Sequence, residues 1–186
     1  MTEENLKQRM KSGEILIGVS VPINASLNEM ESIISKDEYA FVSTDSQHNA
    51  FNEETLVDFC QHASKLGIPV QFRIKHTRET YLIGNILDLG PLGIEVPQVE
   101  DIETVKEAVN YFYYPQKGIR SVGGVERYGI DGRSGRVEYG DWWNKTGILC
   151  LQMESLRAVT SVKQLSIAVS YTHLRAHETP EHLVGR

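Results

Sequence analysis

The stretch Tyr39 to His48, YAFVSTDSQH, decides how this chain is read. It opens with Tyr39, Phe41 and Val42, an aromatic and β-branched run that suits a strand buried on both faces. It then turns polar within four residues, through Asp45, Gln47 and His48. In a parallel α/β sheet, chemistry collects at the carboxyl ends of the strands, where loops leave a rigid scaffold. A buried strand that ends in Asp-x-Gln-His therefore reads as a candidate site. The plain alternative is that His48 merely caps the next segment.

Outward from this strand runs a regular rhythm. Upstream, residues 2–12 read as a surface helix closed by Gly13, and ILIGVSV (15–21) as a strand stopped by Pro22. Ser26-x-x-Glu29 is a capping box, with Leu27, Met30, Ile33 and Ile34 on one apolar face behind it. Downstream, Asn52 caps a helix that buries Leu56, Phe59, Cys60 and Ala63 and ends at Gly67. PVQFRI (69–74) is the third strand, and a helix from about 78 to 88 turns Leu82, Ile83, Ile86 and Leu87 inward. GIEVPQV (93–99) is the fourth strand, followed by an Asp101-capped helix whose inner face is Val105, Ala108, Val109 and Phe112. Strand–helix alternation at such even spacing predicts a parallel sheet with helical crossovers.

The rhythm stops at residues 113–146, which hold seven glycines, both tryptophans and several arginines without a sustained period. Trp142 and Trp143 argue for order, so this segment is expected to fold over the site. GILCLQME (147–154) makes a fifth strand, and residues 156–168 a fifth crossover helix.

Composition narrows the function. A chain of 186 residues with 40% hydrophobic content can bury one substantial core. A net charge of −6 without a basic run argues against nucleic acid and membrane surfaces as partners. Cys60 and Cys150 form no motif, and no apolar run approaches the roughly 18 residues of a transmembrane helix. The polar start TEENLKQRMK does not read as a signal peptide, so a soluble, cytoplasmic protein is expected.

The polar residues at strand ends line up. Asp45, Gln47 and His48 follow the second strand, Arg73 closes the third, Asp88 ends a helix, and Gln152 and Glu154 share one face of the fifth. An arginine, a carboxylate and a histidine at strand ends suit an anionic substrate and a divalent cation. The plain alternative for Arg73 is an ion pair with Asp88 or Asp45.

Residues 5 to about 168 resemble the HpcH/HpaI aldolase/citrate lyase family. The likeness is carried by LKQRMKSGEILIGVSV, Asp45-x-Gln47-His48, Arg73 and Leu87-Asp88-x-Gly90-x-x-Gly93. It continues through Val96-Pro97-Gln98-Val99, Tyr114-Pro115-x-x-Gly118-Ile119-Arg120 and Gln152-x-Glu154-Ser155, in family order and spacing. The resemblance implies a TIM (β/α)8 barrel of the phosphoenolpyruvate/pyruvate type, present here as an incomplete barrel of about five parallel strands. It implies a class II aldolase, a carbon–carbon lyase that reversibly cleaves a 4-hydroxy-2-oxo acid to pyruvate and an aldehyde. By position, His48 would be the general base, held by Asp88. Arg73 would grip the pyruvate carboxylate and Glu154 would bind magnesium, manganese or cobalt. Gln152 would stand beside the metal and Arg120 would support substrate binding. A homo-oligomer is expected of the full-length protein. Competing readings are an acyl-CoA lyase of the citrate or malyl type and an inactive barrel fragment.

Residues 170–186 break the pattern. They carry half of the chain's six histidines, and SYTHLRAHET resembles adapter-derived tails in translated metagenomic assemblies. His173 and His177 stand four apart, as on a helical metal site, yet no third ligand is indicated and Pro180 would end the helix. The expectation is a partial barrel over 1–169 and a foreign tail over 170–186. The tail should add no strand beside 147–154. It should also lack the second metal-binding aspartate that the family carries, leaving the chain inactive.

Overall fold

The computed structural model describes residues 5–133, 135–168 and 173–176. The chain runs α1 (Leu6–Lys11), β1 (Gly18–Ser20), α2 (Leu27–Ile34), β2 (Phe41–Asp45), α3 (Glu53–Lys65) and β3 (Val70–Arg73). A 3-10 segment (Thr77–Leu82) leads into α4 (Ile83–Leu87), β4 (Gly93–Val96), α5 (Ile102–Phe112) and α6 (Arg136–Thr146). Then come β5 (Ile148–Met153), α7 (Leu156–Thr160), α8 (Val162–Ala168) and β6 (His173–Ala176).

Local chemistry sets the helix starts. Ser26 and Glu29 close the expected capping box on α2, while Asn52 and Asp101 accept the Thr55 and Thr104 amide hydrogens at α3 and α5. Two helices differ from expectation. The segment over 78–88 divides into a 3-10 turn and a short α-helix, and the fifth crossover helix breaks at Ser161 into α7 and α8.

The strands form one parallel sheet in the order β1-β2-β3-β4-β5-β6. Five were expected. The sixth overturns the expectation that residues 170–186 add no strand, because His173–Ala176 pair in register with Cys150–Met153. Parallel pairing is made by backbone N–H and C=O groups, which β5 offers to any chain laid along its edge. The lack of a β-branched run in that segment therefore did not exclude it.

Side chains alternate across the sheet. Val42, Phe72, Ile94, Val96, Leu149 and Leu151 are fully buried in the core with α3, α4 and α5. The alternate positions Ser43, Asp45, Gln71, Arg73, Glu95 and Gln152 line a concave face with a cavity of about 600 Å³. Helix α1 sits at the amino-terminal edge of that face, where Leu6 and Met10 pack on Leu92, Ile148 and Cys150. The sheet curves as part of a barrel that does not close.

Lys7 fixes α1 in place. It is 3% exposed, and its Nζ donates to the Tyr113 hydroxyl at 3.1 Å and the Gly147 carbonyl at 2.8 Å. Burial, with Lys11 and Lys117 nearby, lowers its pKa to about 7. Between pH 7 and pH 10.5 the unfolded chain therefore binds this proton and the folded chain does not. Stability should rise with pH through that window. Lys7→Met should flatten the slope in urea titrations, and a slope unchanged in the variant would refute the assignment.

Candidate active site

The carboxyl end of β3 presents Arg73 beside the end of β2. Asp45 and Arg73 are register partners, as are Arg73 and Glu95 across β4. Their side chains emerge on the same concave face and meet. Arg73 donates from Nε to Asp45 Oδ1 at 2.8 Å and from Nη2 to Oδ2, a two-pronged ion pair. Asp45 Oδ1 also accepts the Gln47 amide hydrogen at 2.8 Å. Beneath them the Ser46 hydroxyl donates to the Arg73 carbonyl at 2.7 Å and pins the strand end.

The electrostatics follow from this geometry. Burial raises the Asp45 pKa, but the bonds from Arg73 and Gln47 outweigh it and leave the carboxyl below its usual range. Arg73 is raised, first by the Asp45 bond, then, against some burial, by the charges of Asp45, Glu95 and Glu154. It is a permanent cation. The site is therefore one fixed positive charge ringed by carboxylates and held by its own backbone.

Other residues converge on the same edge. His48 is exposed and lies close enough for its charge to act on Asp45. Gln152 is 1% exposed, and its Oε1 is buried without a partner, as is Gln71 Nε2. Gln71 lies across Gly93, where a Cβ would come within 1.9 Å of its Oε1. Glu154 is exposed, and its Oε2 accepts the amide hydrogen of Gln98 at 3.2 Å. Gln98 has φ 51, a left-handed conformation rare outside glycine, at the turn that ends β4.

Asp88 and Arg120 are elsewhere. Asp88 ends α4, just before β4, at the amino-terminal edge of the sheet. Its Oδ1 accepts from Arg120 Nη2 at 2.8 Å. Among the described residues Asp88 is bonded to Arg120, and no bond joins it to His48. Nor do residues 113–133 cover the site. The segment joins the end of α5 to the start of α6, and α6 leads into the start of β5, with a Cβ on Gly124 falling within 2.6 Å of Asp88. Helices of a parallel barrel return the chain to the amino-terminal edge, so a loop after a helix lies there.

Glu95 is the site residue that the sequence reading missed. It is 7% exposed on the concave face beside Arg73. A lone glutamate inside the apolar run GIEV was the available signal, since charges in central strands are seldom buried without a task.

Among the described residues, no group of three or more His, Cys, Asp or Glu side chains is placed to hold a metal ion. Gln152 Oε1 and the Glu154 carboxylate supply two hard oxygens near one another in sequence, fewer than a resident divalent ion requires. The described residues do not by themselves make a metal centre.

Fold and site together define a parallel α/β barrel protein with an arginine–aspartate pair at its carboxyl-terminal face. A family model, HpcH/HpaI aldolase/citrate lyase, matches residues 50–174, and the chain belongs to that family. A 2-keto-3-deoxy-L-rhamnonate aldolase of Escherichia coli (strain K12) is 26% identical over 161 residues, 86% of this chain and 58% of the relative. A hydroxypyruvate/pyruvate aldolase of Delftia acidovorans is 32% identical over 93 residues, 50% of this chain and 34% of its own. Among solved structures, an HpcH/HpaI aldolase from Desulfitobacterium hafniense DCB-2 superposes with a TM-score of 0.78 at 21% identity. It covers 93% of this chain and 66% of that one. Macrophomate synthase gives a TM-score of 0.72 at 26% identity, covering 93% and 61%. The chain thus spans less than two thirds of the length of these relatives. No helix among the described residues is long and apolar enough to cross a membrane.

Proposed function

We propose that the protein works on a 2-oxo acid in the aldol direction or its reverse, releasing pyruvate from a 4-hydroxy-2-oxo acid. The observation that carries this reading is Arg73, fixed by Asp45 at the mouth of the concave cavity. Asp45 engages Nε and Nη2 and leaves Nη1 for a substrate carboxylate. In the cleavage direction a base takes the proton of the 4-hydroxyl group. The carbon–carbon bond breaks, the aldehyde carbonyl forms, and the electron pair passes into the enolate of pyruvate. His48 is the base, exposed and chemically suited to neutral pH. The fixed charge of Arg73 stabilises the enolate. Membership of the family supports a divalent ion as well, with Glu154 and Gln152 as the oxygens it would call on.

Exchange of pyruvate methyl protons in D2O, followed by NMR, tests the reading. A chain extended to the full length of these relatives should exchange them faster than buffer, and Arg73→Ala in it should slow exchange by about 100-fold or more. His48→Ala should impair cleavage of a hydroxy-oxo acid more than exchange. In that extended chain, which would add the ligands the described residues lack, magnesium, manganese or cobalt should raise exchange and EDTA should stop it. Exchange no faster than buffer would favour an inactive barrel, and exchange indifferent to Arg73→Ala would remove the residue from its role.

A further inference from the structure

At the amino-terminal edge, away from Arg73, the segment after α5 builds a second cationic cluster. Arg120 is 2% exposed, and its guanidinium carbon lies 4.7 Å from the ring centroids of both Tyr114 and Trp143. Arg127 stacks 4.5 Å over Tyr139, whose ring meets that of Tyr114 edge-on at 5.7 Å. Two guanidinium groups therefore flank one aromatic pair.

Their hydrogen bonds are largely unspent. Arg120 gives Nη2 to Asp88, but its Nε and Nη1 are buried without a partner among the described residues. So are Nε and Nη1 of Arg127, and so is the Tyr114 hydroxyl. The Tyr139 hydroxyl, by contrast, donates to the Tyr128 carbonyl. Burial raises the Tyr139 pKa while the charges of Arg120 and Arg127 pull against it, so both cations reach the same phenol.

We infer that Arg120, Arg127 and Tyr114 form a binding site for a small oxyanion at the amino-terminal edge of the sheet. Arginine cannot shed its proton, and a buried cation needs a countercharge. Asp88 is the one carboxylate bonded to this pair of guanidiniums among the described residues. Water would satisfy the N–H groups yet leave the second guanidinium, that of Arg127, without a paired negative charge. An oxyanion supplies both the charge and several acceptor lone pairs, in the planar geometry that guanidinium favours. A cavity of about 430 Å³, lined by Arg127, Tyr128, Leu89 and Gly90 with Glu126 and Asp131 also on its wall, opens onto the Arg127 side of this cluster.

The test is calorimetric titration with inorganic phosphate, sulfate and acetate at constant ionic strength, with chloride as the control. Saturable binding of one of them is expected; phosphate or sulfate would identify a tetrahedral ligand, and acetate a carboxylate. Arg127→Gln should weaken it about tenfold or more, and Tyr114→Phe, which keeps the ring stacking, should weaken it severalfold. Arg73→Gln, at the opposite edge, should leave it unchanged and so separates this site from the proposed pyruvate site. Absence of saturable binding, or affinity indifferent to both Arg127→Gln and Tyr114→Phe, would overturn the inference.

Discussion

Asp88→Ala should lower the free energy of unfolding by about 3–5 kcal/mol, the usual cost of stripping one partner from a buried ion pair. The Arg120 side chain is 0% exposed and the Asp88 side chain 21%, so the cation left behind cannot turn to water. Urea denaturation reads the loss directly. The same variant separates two roles for Asp88. As the holder of a catalytic histidine it would leave stability nearly unchanged and remove activity. As the partner of Arg120 it unfolds the amino-terminal edge. A loss below about 1 kcal/mol would reject the structural role.

Trp143→Ala should cost a similar amount, about 3–5 kcal/mol, as large core aromatics do. Trp143 is fully buried, packs tilted against Phe112 with ring centroids 5.5 Å apart and forms one wall of the Arg120 sandwich. Its Nε1 donates to the Phe112 carbonyl at 3.0 Å, tying α6 to the end of α5. Gly147 makes room for it, since a Cβ there would stand 2.7 Å from the indole. Trp143→Phe keeps most of the ring and loses the hydrogen bond, so about 1 kcal/mol is expected. Equal losses in the two variants would mean that the hydrogen bond, not the packing, holds α6.

Much of this was legible before any coordinates. The spacing of Gln152 and Glu154 put both on one face of the fifth strand, and Gln152 lines the cavity there. The second strand, read as buried on both faces, instead turns Ser43 and Asp45 toward the cavity. Capping chemistry at Ser26, Asn52 and Asp101 set helix starts without reference to the fold. Other features depend on three-dimensional direction. Asp88 and Arg120 lie 32 positions apart, and each looks as polar as His48. Only the rule that helix-to-strand loops fall at the amino-terminal edge removes them from the site. Glu95 was hidden by its apolar neighbours, and β6 by side chains that carry no strand signal. Ser161, which splits the last crossover helix, has no marking in sequence that sets it apart from Ser155 or Ser166.

The order of the strands has a consequence for how the chain folds. Each strand pairs with the one before it in sequence, so Phe41 finds Gly18, Val70 finds Val42 and His173 finds Cys150. The longest closure joins Gly93 to Ile148 across the arginine-rich segment. Contact order is therefore low for a parallel sheet, and loop closure is a small entropic barrier at every step but that one. A ribosome releasing the chain delivers each strand onto an edge that already exists. Assembly can advance in the direction of synthesis, with the aromatic clasp around Trp143 as the step that waits for the longest stretch of chain.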